Sequence, residues 1–160
     1  MASATWSLTQ LDIDAVSAAL DRLLTATGAH SAMVVDRSGQ LVTVAGQPLE
    51  FDTTSFATLA AADFSANDQL ARLIGEVDFT SLAHEGENES LYFVDVAHKL
   101  LLVVLFDRQT TLAIVRMLAP AVAGELAVIF NSALTREQGN AGGSFGVLHG
   151  AEKEIDSLFS

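Results

Sequence analysis

The sequence predicts an α/β (α+β) domain in the order α-β-β-α-β-β-β-α, a mixed sheet with helices on both faces. Three observations carry that prediction. Residues 11–27 and 110–134 repeat apolar side chains at helical spacing. Ser90 to Val96 and Leu100 to Phe106 flank Ala97-His98-Lys99 as a hairpin, and the second run is apolar nearly throughout, as a central strand covered on both faces must be. Between the strands lies an alanine-rich segment, 52–75, with helix-capping residues at both ends.

The elements follow in order. Val16, Leu20, Leu23 and Leu24 place one apolar face on the first helix, and Gly28 ends it. Ser31 to Val35 and Gln40 to Val44 read as strands around the turn Asp36-Arg37-Ser38-Gly39. Gly46-Gln47-Pro48 breaks the chain before the alanine-rich helix. Val77 to Glu85 alternates weakly and reads as an edge strand, whose unpaired backbone groups would suit pairing with another copy. The last long helix carries Ile114, Leu118, Val122, Leu126, Ile129 and Phe130 on one side, with Pro120 expected to kink or divide it near Ala119. Residues 138–150 hold five glycines and read as a linker. Residues 151–160 return to helical spacing at Ile155, Leu158 and Phe159, either as a disordered end or as a peptide that folds in a partner's groove. The expected division is a short extension over 1–10, one domain over 11–137, the linker and this tail.

The helix over 52–75 is the most informative segment. Asp52 and Thr53 can cap it, and Gly75 can end it. At about 100° per residue, Phe56, Leu59, Ala60, Ala66, Leu70 and Ile74 share a sector, which is expected to face the core. The opposite sector holds Ala57, Ala61, Ser65, Asp68, Gln69 and Arg72, with Phe64 at its border. Small residues there permit close approach of another backbone, with Phe64 or Arg72 as anchors. Asp63 and Asn67 point into the apolar sector and need partners.

Composition narrows the function. The chain has 160 residues, half of them hydrophobic, and eight basic against 20 acidic residues give a net charge of −12. That sign disfavours nucleic acid and anionic membranes as partners and favours a basic protein surface. There is no cysteine, so no disulfide or thiolate metal site is expected. The first ten residues lack the pattern of a signal peptide, and Leu100 to Phe106 is too short to span a bilayer, so a soluble cytoplasmic protein is expected. The histidines, His30, His84, His98 and His149, fall on separate segments without ligand spacing. No phosphate-binding or nucleophile motif occurs. Asp107-Arg108 reads as a turn former, and Glu85, Glu87 and Glu89 as a solvated loop. Neither cofactor nor metal is expected, and binding of a protein is the better reading than catalysis.

The runs VVDRSGQLVTVAGQ, DTTSFATLAAA, LARLIGE, HEGENESLY and LLLVVLFDRQTTLAIVRM resemble a Roadblock domain over Leu11 to Leu134, and EIDSLFS extends the likeness at the tail. The resemblance is to the MglB-like branch, activators of small Ras-like GTPases of the MglA type in bacterial motility and polarity. It implies a five-stranded antiparallel sheet between helices. It also implies a homodimer built on the edge strand and central helix, with Leu59, Ala62, Asp63, Ala66, Asn67 and Phe79 at the interface. Two subunits would bind one GTPase in its GTP form through Ala61, Phe64, Ser65, Asp68, Gln69 and Arg72. They would reposition the GTPase's own catalytic residues without inserting an arginine finger. Ile155, Leu158 and Phe159 would form a C-terminal docking peptide favouring nucleotide exchange. The protein is thus expected to be a regulator without catalytic residues, acting in the cytoplasm at a cell pole. The alternative is a non-catalytic dimeric scaffold that recruits polarity or signalling proteins. Ser65 and Gln69 stand where the family has alanine and glycine, Asp63 stands for an asparagine, and Pro120 interrupts a helix normally free of proline.

Overall fold

The computed structural model describes residues 7–158, with side chains described up to residue 139. The elements are α1 (Gln10–Thr27), β1 (Ser31–Asp36), β2 (Leu41–Gly46), α2 (Thr53–Leu73), β3 (Ser81–Glu85), β4 (Ser90–Val96), β5 (Leu100–Phe106) and α3 (Leu112–Leu158). The strands form one sheet in the order β2-β1-β5-β4-β3, and every neighbouring pair is antiparallel. The sheet is therefore not mixed, and it agrees with the antiparallel arrangement that the resemblance implies. The pairs β1–β2, β3–β4 and β4–β5 are each joined by a short connection, which favours antiparallel pairing.

β5 lies at the centre and is buried along its whole length. Its side chains alternate between two cores. Leu100, Leu102, Val104 and Phe106 meet α1 and α3 through Leu20, Leu23, Val115, Leu126 and Phe130. Leu101, Val103 and Leu105 face the other way, onto α2, with Phe64 and Phe93. A strand sandwiched in this manner has no polar face to alternate, which explains its continuous apolar run.

Local chemistry sets the ends of the helices. Thr9 and Asp12 form a capping box on α1, and the Arg136 side chain reaches Asp12 from α3 at 2.5 Å. Asp52 accepts from the Thr54 amide and the Ser55 hydroxyl at the start of α2. Gly46 closes β2 at φ +99°, where a Cβ would lie 2.3 Å from the His30 carbonyl oxygen. The Gln47 amide donates to that same carbonyl at 2.9 Å.

Several expectations are corrected. β3 covers only Ser81–Glu85, and Val77 is exposed ahead of it. Pro120 lies inside α3 without dividing it; its position in the helix leaves Val115, Ala119, Val122 and Leu126 facing the core. Ile114 belongs to the outer side of α3. The stretch Leu112–Gly139 is apolar and long enough to cross a bilayer by composition, unlike the shorter run considered in the sequence; here its buried side packs on α1 and the sheet. α3 also runs continuously through Gly139 to Gly150, where composition predicts a linker. Glycine costs about 1 kcal/mol relative to alanine in a helix interior, so this is the weakest part of α3 by intrinsic propensity, but a helix is not forbidden. The side chains of Ile155 and Leu158, and Phe159 altogether, lie outside the described residues.

Candidate functional site

The alanines of α2 decide which way the helix turns. Ala57, Ala60, Ala61, Phe64, Asn67 and Ala71 form its buried side. Small side chains let the helix lie close on the sheet, and Phe64, fully buried, fills the space against Phe93 with ring centroids 6.5 Å apart. The buried face is turned by about a quarter turn from the one expected: Ala60 is buried as expected and Phe56 packs on the core in part, but Ala57, Ala61 and Phe64 join them from the other side. Leu59, Leu70, Leu73 and Ile74 are exposed, at 69%, 58%, 82% and 71%, and Ala62 and Ala66 are exposed beside them. The helical rule located a stripe correctly but could not say whether the chain itself covers it. An apolar stripe left open on a folded chain marks a contact surface.

That stripe runs along the flank of α2 nearest β3, which ends the sheet and, among the described residues, has no strand on its outer side. The two elements are linked by Asp63, whose Oδ2 lies 2.5 Å from His84 Nε2 on β3. Asp63 therefore has a partner within the chain. Asn67 Nδ2 is buried without a hydrogen bond among the described residues. Phe79, half-buried, precedes β3.

The outward sector of α2 is narrower than expected. Ser65, Gln69 and Arg72 are exposed. Phe64 is corrected as an anchor, since no part of it reaches solvent, and Ala61 is buried at 7% exposure. Asp68 is also committed internally. Its Oδ2 accepts from Arg37 Nη1 at 2.7 Å, while Arg37 Nη2 donates to Asp95 at the end of β4. The guanidinium sits 4.7 Å from the centre of the Phe64 ring. One arginine from the β1–β2 turn thereby ties α2 to β4, with three-quarters of its side chain buried and both carboxylates more so. Arg37 carried no special signal in the sequence beyond its place in a turn.

Similarity agrees with this geometry. The model of the Roadblock/LC7 domain matches residues 16–106. The chain belongs to the Roadblock/LC7 family. Among solved structures it resembles Myxococcus xanthus MglB, with 42% identity, 73% of this chain and 95% of that one covered, and a TM-score of 0.69. The gliding protein MglB from Thermus thermophilus aligns at 28% identity over 82% of this chain and 99% of that one, with a TM-score of 0.76. A further MglB structure, described as a tetrameric arrangement, aligns at 29% identity over 82% and 99%, with a TM-score of 0.77. No match was found among curated protein sequences. The chain is an MglB-like Roadblock protein.

Among the described residues no group of three or more His, Asp or Glu side chains is placed to hold a metal ion. Asp107 Oδ1 accepts from the Gln109 amide, the turn-forming role its position suggested. Of the histidines with described side chains, His30 bonds Glu89 at 2.7 Å and His98 lies beside Asp95 at 3.4 Å. His98 also occupies the left-handed region with Ala97, closing the β4–β5 turn. His30 also meets the Ser31 hydroxyl through Nδ1 at 2.9 Å; that hydroxyl is buried and donates to the Gln47 carbonyl at 3.3 Å.

Proposed function

We propose that this chain is a homodimeric activator of a small Ras-like GTPase of the MglA type. The observation that carries the reading is its 42% identity to Myxococcus xanthus MglB over nearly the whole of that chain. The exposed stripe of α2 beside the open edge of β3 supports the dimer, because a second copy would cover both the apolar side chains and the unpaired strand. Leu59, Ala62, Ala66 and Leu70 are its proposed contacts, with Asn67 Nδ2 finding an acceptor there and Phe79 at the margin. Ser65, Gln69 and Arg72 are the proposed contacts with the GTPase, and Asp68 acts from behind by holding Arg37. Activation then consists of fixing the GTPase's own catalytic groups around the nucleotide. Action in the cytoplasm, at a cell pole, and a C-terminal segment that favours nucleotide exchange complete the proposal.

The test is single-turnover GTP hydrolysis by an MglA-type GTPase with increasing amounts of this chain. Stimulation that saturates near two copies per GTPase supports the reading. Binding without acceleration would leave a scaffold, and absence of binding would refute both. Gln69→Arg is the informative variant, since Gln69 is exposed. Ala61→Arg is not, because a buried alanine replaced by arginine disturbs the fold itself.

A further inference from the structure

We propose that the cleft at the open end of the sheet, away from the outward sector of α2, docks a basic segment of a partner protein through an inserted apolar side chain. The cleft has a volume of about 770 Å³ and lies between the β2–α2 connection and the β3–β4 loop. That size is typical of sites that bury a ligand or a few side chains. Its apolar lining comes from Leu49, Phe56, Leu91 and Leu105. Phe51 stands over them, 42% exposed, its ring 5.0 Å from that of Phe56. An exposed aromatic above an apolar lining is a ready anchor for a partner's side chain.

The rim has one sign. Glu50, Glu85, Glu89 and Asp107 line it, and neither lysine nor arginine does. Arg108, next in sequence, donates from Nε to the Glu87 carbonyl of the β3–β4 loop at 2.8 Å and is not among the lining residues. The rim is also held in shape. The Gly86 amide donates to the Glu89 carbonyl at 3.0 Å, and His30 Nε2 fixes the Glu89 carboxylate at 2.7 Å. Carboxylates already in place lower the ordering cost of binding a cation.

Charge selects the occupant. A second copy is disfavoured, since the chain carries −12. So is the chain's own tail, where Glu152, Glu154 and Asp156 accompany a single lysine. A segment with lysines or arginines on both sides of a leucine or phenylalanine satisfies both parts of the cleft. A cation near a rim carboxylate is attracted to it, more strongly the less water lies between them. The site is distinct from the proposed GTPase contacts: Phe56 and Gln69 are about 20 Å apart along α2 at 1.5 Å per residue.

The experiment is fluorescence anisotropy of the full chain with a labelled ten-residue probe, a Phe-Leu pair flanked by lysines and arginines, against a control with glutamates in their place. The basic probe is expected to bind, more weakly as salt rises, and the acidic control not to bind. Phe51→Ser, and Glu50→Lys with Glu85→Lys, should each weaken binding about tenfold or more. All three side chains are exposed, so circular dichroism should be unchanged. Equal binding by these variants would reduce the effect to general attraction by an acidic protein and overturn the proposal. So would absence of binding, or equal binding of the acidic control. Loss of GTPase stimulation in Phe51→Ser would place the cleft within the activating surface and overturn its independence.

Discussion

His84 Nε2 lies 2.5 Å from Asp63 Oδ2, so a single side-chain pair tethers the outermost strand to the flank of α2. His84 also meets the Phe93 ring edge-on, at 5.9 Å between centroids, which sets its orientation. Both partners of the pair remain more than a third exposed, and water screens their attraction. A double-mutant cycle of Asp63→Asn and His84→Gln, read by urea denaturation at fixed chain concentration, should give a coupling of about 0.5 kcal/mol that shrinks in high salt. A coupling several times larger would mean that the pair is buried by another chain in solution.

Leu70→Lys places a charge in the exposed apolar stripe. Because Leu70 is 58% exposed in the single chain, the fold should tolerate it. Self-association should weaken by about a hundredfold, roughly 3 kcal/mol, visible as a shift to monomer in sedimentation velocity. An unchanged profile would place the dimer contact elsewhere.

Arg37→Met leaves the carboxylates of Asp68 and Asp95 without their shared cation. With both side chains about 15% exposed or less, the cost should be about 2–4 kcal/mol in chemical denaturation. Adding Asp68→Asn and Asp95→Asn should recover part of the loss. A cost under about 1 kcal/mol would show that solvent already screens the cluster.

Two helix-capping aspartates give the chain an acid limit. The Thr9 amide, and then the Arg136 side chain, hold Asp12 below its ordinary value of 3.8. The Ser55 hydroxyl, and then the Thr54 amide, do the same for Asp52. A carboxylate whose value is lowered by folding stabilises above its unfolded value, and that contribution is lost as pH falls through the folded one. Asp12→Asn with Asp52→Asn should therefore flatten the fall in melting temperature below about pH 4. A slope equal to that of the unaltered chain would assign acid lability to other groups.

The strands and their order were largely legible because β4 and β5 form an unambiguous hairpin and β5 has the unbroken apolar run of a central strand. The orientation of α2 was not. Its sequence offers two sectors of comparable character, one of leucines and one of alanines, and the buried face lies between them, shared by Ala60 of the first and Ala57 and Ala61 of the second. Contact distance decides the matter: alanine permits close seating on the sheet, and leucines suit a neighbour that is not part of the chain. Asp68 departs from its expected direction for a related reason. Its helical position predicts an outward direction, but Arg37 reaches it from a turn 31 residues earlier, a contact that no local pattern encodes. The dimer and GTPase contacts themselves rest on similarity and on exposure, not on any sequence periodicity.

Gly46 bears on how this protein can vary. Any side chain there would press on the His30 carbonyl, on Leu24 and on Ser31 at less than 3 Å, whereas Gly75 and Gly124 face open space. Substitution is therefore closed at the last residue of β2, as it is at Gly86, where a Cβ would lie 2.4 Å from the Glu89 carbonyl oxygen. The cleft loop that begins at Gln47 can change its chemistry freely, but it must always leave the sheet from the same point and in the same direction. Relatives with different partners at that end would differ in residues 47–51 while keeping glycine before them.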